Sequence, residues 1–329
     1  MSHLAVIIVT YNSQDVIGRC IDSCLSAGAS EIVVVDNGSH DETRREVRLR
    51  PQTSLIENKF NVGFAAAVNQ GVNATNSRLV LLLNPDTELL GGIPALTAAC
   101  DRRGVAAAAG MLVNEDGLAQ AGFNIRRFPT PAALSFEVLG INRIWAHNPI
   151  NRWYRCLELD LLLPARVEQP AGAFLMLRRD AWQAMGGLDQ AFHPVWFEDV
   201  DLCKRLQDAG SFIEYVPAAQ ARHIGGHSVR NIPFECRETY WYASLLRYAS
   251  KHFTRLENVA VSACVMLGAV PRVITGIFRE QSFQPFSVFA KVVRLAASNL
   301  VMSRAGEMVN SPVAIVKDRR SSVAQNSNS

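Results

Sequence analysis

Residues 4–43 read LAVIIVTYNSQDVIGRCIDSCLSAGASEIVVVDNGSHDET. An apolar run, LAVIIV, gives way to the polar TYNS. An amphipathic segment follows, with Val16, Ile17, Cys20, Ile21, Cys24 and Leu25 at helical spacing, and a second apolar run, EIVVVD, ends in another polar turn. Strand, helix and strand in so short a span predict a parallel pair joined by a crossover helix. Neither run alternates apolar with polar, so helices must cover both faces of the sheet. The run LVLLL before Asn84-Pro85-Asp86 repeats the pattern. Ligands of such sheets lie at the carboxyl ends of the strands. Thr10-Tyr11-Asn12, Asp36-Asn37-Gly38-Ser39 and Asn84-Pro85-Asp86 are therefore expected along one edge, as a nucleotide site.

The chain has 329 residues, 49% of them apolar, which suits one large domain plus an appendage. Its net charge of +3 is small and dispersed, which argues against nucleic acid as a partner. Seven cysteines without a Cys-x-x-Cys pair point to a reducing compartment and no structural zinc. LAVIIV is too short, and lacks the basic residues, for a signal peptide. Helices are expected near Gly63 and Ile93, and an irregular, acceptor-facing or lid-like stretch from Pro129 to Gln169. AFLMLRR reads as a strand, DVDLCKRLQDAG as a helix ended by Gly210, and FIEYVP as a strand ended by Pro217. The expected organisation is a domain over 1–232, a helical appendage over 233–310 and a disordered tail over 311–329.

Six blocks, TYNS, VVDNGSHDET, NVGFAAAVNQG, LLLNPDT, GAFLMLRR and GGLDQAFHPVWFEDVDLCKR, stand in the order and spacing of family 2 glycosyltransferases. Over about residues 4–230 the chain resembles the rhamnosyltransferase-like branch of that family. The resemblance implies an α/β protein of GT-A fold, with a Rossmann-like, mostly parallel sheet flanked by helices. It also implies a nucleotide-diphosphate sugar donor and inversion at the anomeric carbon.

The residues carry that chemistry as follows. Asp36 ends an apolar strand, where a carboxylate can accept from a base or ribose, and the resemblance assigns it to the base. The other reading is an Asx-capped turn. Thr10, Tyr11, Asn12 and Asn37 belong to the same donor edge. Asn61, Gly63 and Asn69 mark a helix start where small residues let donor or neighbouring backbone come close. Asp86 stands where GT-A enzymes carry an Asp-x-Asp that holds a divalent cation against the diphosphate. Asn84 replaces the first aspartate, leaving one carboxylate and a carbonyl for a largely hydrated Mg²⁺ or Mn²⁺. An inverting transfer needs one base to take the acceptor proton. By resemblance Asp199, in FEDVD, is that base, with Glu198 supporting it, while Asp201 caps the helix or pairs with Arg205. In ARHIGGHS a loop is expected, and His223 matches a further metal or phosphate ligand better than His227.

From Arg237 to Arg304 basic residues exceed acidic ones by about six, among Trp241, Tyr242 and many aliphatics. The best span candidate, Val259 to Phe278, carries Pro271 and Arg272, which reads as an interfacial helix on an anionic bilayer rather than a full crossing. A helical subdomain packed on the core, or forming a homodimer, stands beside that reading. The expected setting is cytoplasmic, peripheral at the inner face of the cell membrane, with a glycan or lipid-linked acceptor in cell-surface polysaccharide synthesis. The non-enzyme alternative is a degenerate sugar-nucleotide-binding scaffold. No Gly-x-Gly-x-x-Gly follows the first strand, which disfavours a dehydrogenase.

Overall fold

A computed structural model describes residues 4–225 and 232–305. Strands β1 (Leu4–Thr10), β2 (Glu31–Asp36), β3 (Thr53–Glu57) and β4 (Leu79–Leu83) pair in parallel, in the order β3-β2-β1-β4. Helices α1 (Ile17–Ser26), α2 (Thr43–Arg48) and α3 (Phe64–Asn73) make the crossovers. Along β1 the side chains divide by parity. Ile7 and Val9 join one core, Val6 and Ile8 the other, so both faces are dry. Cys20 and Cys24 lie buried on the inner face of α1.

Beyond β4 the sheet is mixed. Strand β5 is Thr87–Gly91 and β6 is Val105–Val113, with α4 (Ile93–Cys100) between them. A two-stranded ribbon joins β7 (Ile125–Arg126) to β9 (Gln169–Pro170), and β8 is Ala165–Val167. Strand β10 (Phe174–Arg178) inserts antiparallel between β4 and β6, and β11 (Phe212–His223) runs parallel to β6 and antiparallel to β5 and β8. Four parallel strands thus continue into a mixed half. The stretch after β7 is irregular as expected, carrying short helices α5 (Pro131–Val138), α6 (Ile141–Ile144) and α7 (Pro149–Tyr154).

Strand β11 departs from its sequence reading. Pro217 does not end it: Val216 pairs with Gly110 and Gln220 with Met111, so residues 217–219 bulge out, where a missing N–H breaks no ladder bond. The bulge also exchanges faces. Ile213 and Tyr215 lie in the core of Ile7 and Val9, whereas Ala219 and Ala221 lie in the opposite core. His223 is therefore a strand-end residue rather than a loop residue, and His227 lies outside the described residues.

Helix α8 (Arg179–Ala184) and a loop lead to α9 (Glu198–Asp208), which stops at Gly210 (φ +81°). Three long helices follow: Phe234–His252, Arg255–Glu280 and Gln284–Ala305. They share a third core with the loop before α9, where Phe192, Phe197 and Val200 meet Tyr242, Leu245, Tyr248, Val261 and Phe289. The first of them is thus built into the wall behind Asp199. The expected tail over 311–329 lies outside the described residues.

Candidate active site

The three expected turns do line one edge. Thr10 and Asp36 are register partners at the ends of β1 and β2, both buried. Arg44 Nε donates to Asp36 Oδ2 at 2.6 Å and the Ser39 N–H donates to the same oxygen at 3.1 Å. Asp36 Oδ1 and Thr10 Oγ1 are buried without a protein hydrogen bond. Asn12, with φ +51°, ties the first two turns together: its N–H donates to Ser39 Oγ, and its Oδ1 accepts from His40 N–H. Tyr11 is half-buried beside it. Asn37 Nδ2 donates to Asn61 Oδ1 at 2.9 Å, and Asn37 Oδ1 accepts from Val62 N–H.

Gly63 and Asn69 meet the loop that precedes Glu198. A Cβ on Gly63, whose φ is +90°, would stand 2.5 Å from His193 Nδ1, and Phe64 N–H donates to Pro194 O at 2.7 Å. Asn69 exchanges two hydrogen bonds with the backbone of Leu188, at 2.9 and 3.0 Å. Both polar ends of that amide are consumed. The two residues strap down the 187–194 loop that carries the chain to Asp199, the close approach of neighbouring backbone that the sequence allowed beside a donor.

That loop arrives strained. Trp196 and Phe197, neither of them glycine, hold φ of +80° and +69° immediately before Glu198. Their cost is met by packing: Phe197 lies 5.6 Å from the Tyr248 ring, and Ser244 Oγ donates to Val195 O. At the start of α9 three acidic residues face the positive end of the helix dipole. Asp199 Oδ2 accepts from Gly172 N–H at 3.0 Å and Oδ1 from Val200 N–H at 2.8 Å. Burial pushes the Asp199 carboxyl up, against those bonds and the Arg126 charge. Burial, then the Asp199 charge, pushes Glu198 well above the carboxylate range, and its Oε2 has no protein hydrogen bond. Both carboxyls are thus raised by burial, Glu198 the further of the two.

Asp201 has a third role. It is fully buried, and Arg205 Nε donates to Oδ2 at 2.7 Å while Lys251 Nζ and His252 Nε2 reach Oδ1 at 2.8 Å. The pairing with Arg205 at i+4 is as the sequence spacing suggests. The clamp from the Phe234–His252 helix is not legible there.

At the other end of the edge, Asp86 is buried in the turn between β4 and β5, and His223 Nε2 stands 3.6 Å from its Oδ1. Asn84 N–H donates to Ala173 O, and Asn84 O accepts from Thr87 N–H. Burial lowers the His223 pKa, partly opposed by Asp86. A carboxylate and a neutral imidazole at this separation suit a divalent cation, with remaining positions left to water and diphosphate oxygens. Among the described residues no group of three acidic, histidine or cysteine side chains gathers as a closed metal site. The segment from Gln120 to Arg126 walls this end. Gln120 bonds to His223, Phe123 stacks on its ring at 5.1 Å, and Arg126 lies near both Phe123 and Asp199. None of these three belongs to a recognisable motif.

Residues 5–141 match the family described as glycosyl transferase family 2. The chain is 28% identical over 269 residues to an N-acetylglucosaminyl-diphospho-decaprenol L-rhamnosyltransferase of Mycobacterium tuberculosis, across 76% of this chain and 85% of that protein. It is 28% identical over 145 residues to the rhamnosyltransferase WbbL of Escherichia coli K12, across 42% of this chain and 50% of that one. The fold is shared with a mannosyltransferase from Pyrobaculum calidifontis, solved with GDP-Man and Mn2+ (TM-score 0.51, 14% identity, 93% of this chain and 88% of that chain). It is likewise shared with GalNAc-T7, solved with UDP, GalNAc and Mn2+ (TM-score 0.51, 14% identity, 76% of this chain and 51% of that chain). The architecture is that of the GT-A glycosyltransferases.

Proposed function

We propose, with a family 2 glycosyltransferase domain as the premise, that this chain is an inverting, nucleotide-sugar-dependent glycosyltransferase whose base is Asp199. The observation that carries the assignment is the placement of that carboxylate. It is anchored by two backbone N–H donors at a helix N-terminus, raised in pKa by burial, and backed by a carboxyl raised further. In the reaction the acceptor hydroxyl gives its proton to Asp199 as its oxygen bonds to the anomeric carbon. The bond from that carbon to the diphosphate oxygen breaks on the opposite face, and the nucleoside diphosphate leaves. Asp36 Oδ1 and Thr10 Oγ1, buried acceptors without protein partners, fit the base or ribose of the donor. Asp86 and His223 would hold Mg²⁺ or Mn²⁺, which supplies positive charge to the departing diphosphate.

The sugar is taken to be rhamnose and the acceptor a lipid-linked diphospho-sugar, on the strength of the rhamnosyltransferase relative that matches 76% of this chain. A peripheral membrane contact at the inner face of the cell membrane fits such an acceptor. The Arg255–Glu280 helix is long and apolar enough to cross a membrane by length and composition. Val261 and Val265, however, are buried against the third core, while Leu256, Leu267, Val270, Ile274 and Phe278 are exposed. One packed face and one exposed apolar face suit a helix lying on a bilayer rather than through it. Asp199→Asn is the direct test. Transfer should fall by about 100-fold or more, while donor affinity stays within about 3-fold. A variant that keeps a tenth of wild-type turnover removes Asp199 as the base.

A further inference from the structure

Gln120 sits in the turn after β6, held there by its own N–H donating to Leu112 O at 2.9 Å. Its side-chain amide meets His223 twice. Nε2 donates to the His223 carbonyl at 2.7 Å, and a carbonyl only accepts, so this contact fixes which end of the amide is nitrogen. Oε1 then stands 3.0 Å from His223 Nδ1. An amide oxygen also only accepts, so the proton of the neutral ring resides on Nδ1. Nε2 is left with its lone pair, and Nε2 is the atom 3.6 Å from Asp86 Oδ1. That gap is beyond the ~2.7–3.2 Å of an N–H···O bond. Two ligands each ~2.1 Å from one cation stand no more than about 4.2 Å apart, so the gap admits a shared cation. Phe123, stacked 12° from parallel on the imidazole, opposes rotation of the ring out of this pose.

We propose that Gln120 is the positioning residue that fixes His223 as the Nδ1–H tautomer and thereby turns its Nε2 into a cation ligand beside Asp86. A free neutral histidine side chain prefers its proton on the other nitrogen, so without Gln120 the ring would present N–H to a cation instead of a lone pair. The inference rests on the reading of Asp86 and His223 as the metal-holding pair, and two readouts separate the fates of the two ideas. Long-range ¹H–¹⁵N spectra of the full-length protein report the tautomer, with His223→Ala identifying the resonance. Electron paramagnetic resonance of Mn²⁺ in the presence of dTDP reports affinity.

Gln120→Met, similar in size and unable to hydrogen-bond, should move His223 towards the Nε2–H pattern and weaken Mn²⁺ by about 10–100-fold, the usual cost of losing a partner that orients a ligand. Gln120→Glu keeps an acceptor for Nδ1–H while losing the donor to the His223 carbonyl, and should preserve the Nδ1–H tautomer. Unchanged tautomer or unchanged Mn²⁺ affinity in Gln120→Met, with Mn²⁺ binding lost in His223→Ala, overturns the role of Gln120 alone. Wild-type Mn²⁺ affinity in His223→Ala overturns the metal-pair reading beneath it. Should the Met variant fail to fold, Gln120→Glu decides, and loss of the Nδ1–H pattern there ends the proposal.

Discussion

Asp201→Asn should destabilise the protein without touching the base. Burial alone would raise the Asp201 carboxyl, but hydrogen bonds from His252 and Lys251 and the Arg205 charge outweigh it and hold it at about 2. Against ~3.9 in the unfolded chain, that depression contributes about 2.6 kcal/mol at neutral pH. Asparagine imitates the protonated carboxyl, so this is also the expected cost of the substitution. The sign follows from the lowered value. The contribution is complete above the unfolded pKa and is lost as pH falls towards the folded one, with about half left at pH 3. Urea midpoints of wild type and variant, measured from pH 7 to pH 3, should therefore show a full gap at pH 7 and 5 and roughly half of it at pH 3. Adding Lys251→Met to the variant should cost less than the same change in wild type, because only the pair of Lys251 with Asp189 is then left to lose. A gap that is flat with pH, or below about 1 kcal/mol at pH 7, would mean that the clamp between α9 and the Phe234–His252 helix does not hold the site together.

Asp86→Ala should weaken nucleoside diphosphate binding only when Mn²⁺ is present; equal affinities for wild type and variant with and without EDTA would remove the cation from this turn. Glu198 carries a pKa raised by burial and by the Asp199 charge, so its folded form keeps a proton that the unfolded chain gives up, and wild type loses stability relative to Glu198→Gln as pH rises above the unfolded carboxylate value. Denaturation curves whose gap does not move above that value would contradict the buried, protonated state. Leu267→Ser with Phe278→Ser should release the protein from anionic liposomes in flotation, since both side chains are exposed on the apolar stripe. Equal flotation of wild type and variant would refute the bilayer contact. Point changes suit this test better than truncation after Leu256, because Val261 and Val265 belong to the core that supports Phe197.

The polar edge of the sheet was legible because it is local. Apolar runs such as IVVV must be covered on both faces, and the polar turns that follow Thr10, Asp36 and Leu83 then have only one edge to occupy. The place of Asp199 at the head of a helix was legible through the block that contains it. Gly63 and Asn69 stayed open between two readings because a glycine and an amide at a helix start serve equally for ligand approach and for close contact with another loop; spacing does not distinguish Leu188 from a sugar phosphate. Gln120, Lys251 and His252 left no signal, since each acts on a residue far along the chain and through chemistry common to any polar surface. The end of β11 was misread because Pro217 is a breaker only when its N–H is needed.

The bulge in β11 constrains how the gene can change in length. Residues 217–219 number three, an odd count, and they separate a stretch whose odd-numbered side chains enter one core from a stretch whose odd-numbered side chains enter the other. A deletion of one codon must be absorbed inside the bulge or carried forward as a one-place slip. A slip after such a deletion would turn His223 to the face opposite Asp86 and put Ile224 in its place. Selection on viable chains should therefore tolerate losses or gains here in pairs before single steps, however variable the surface around Ala218 becomes.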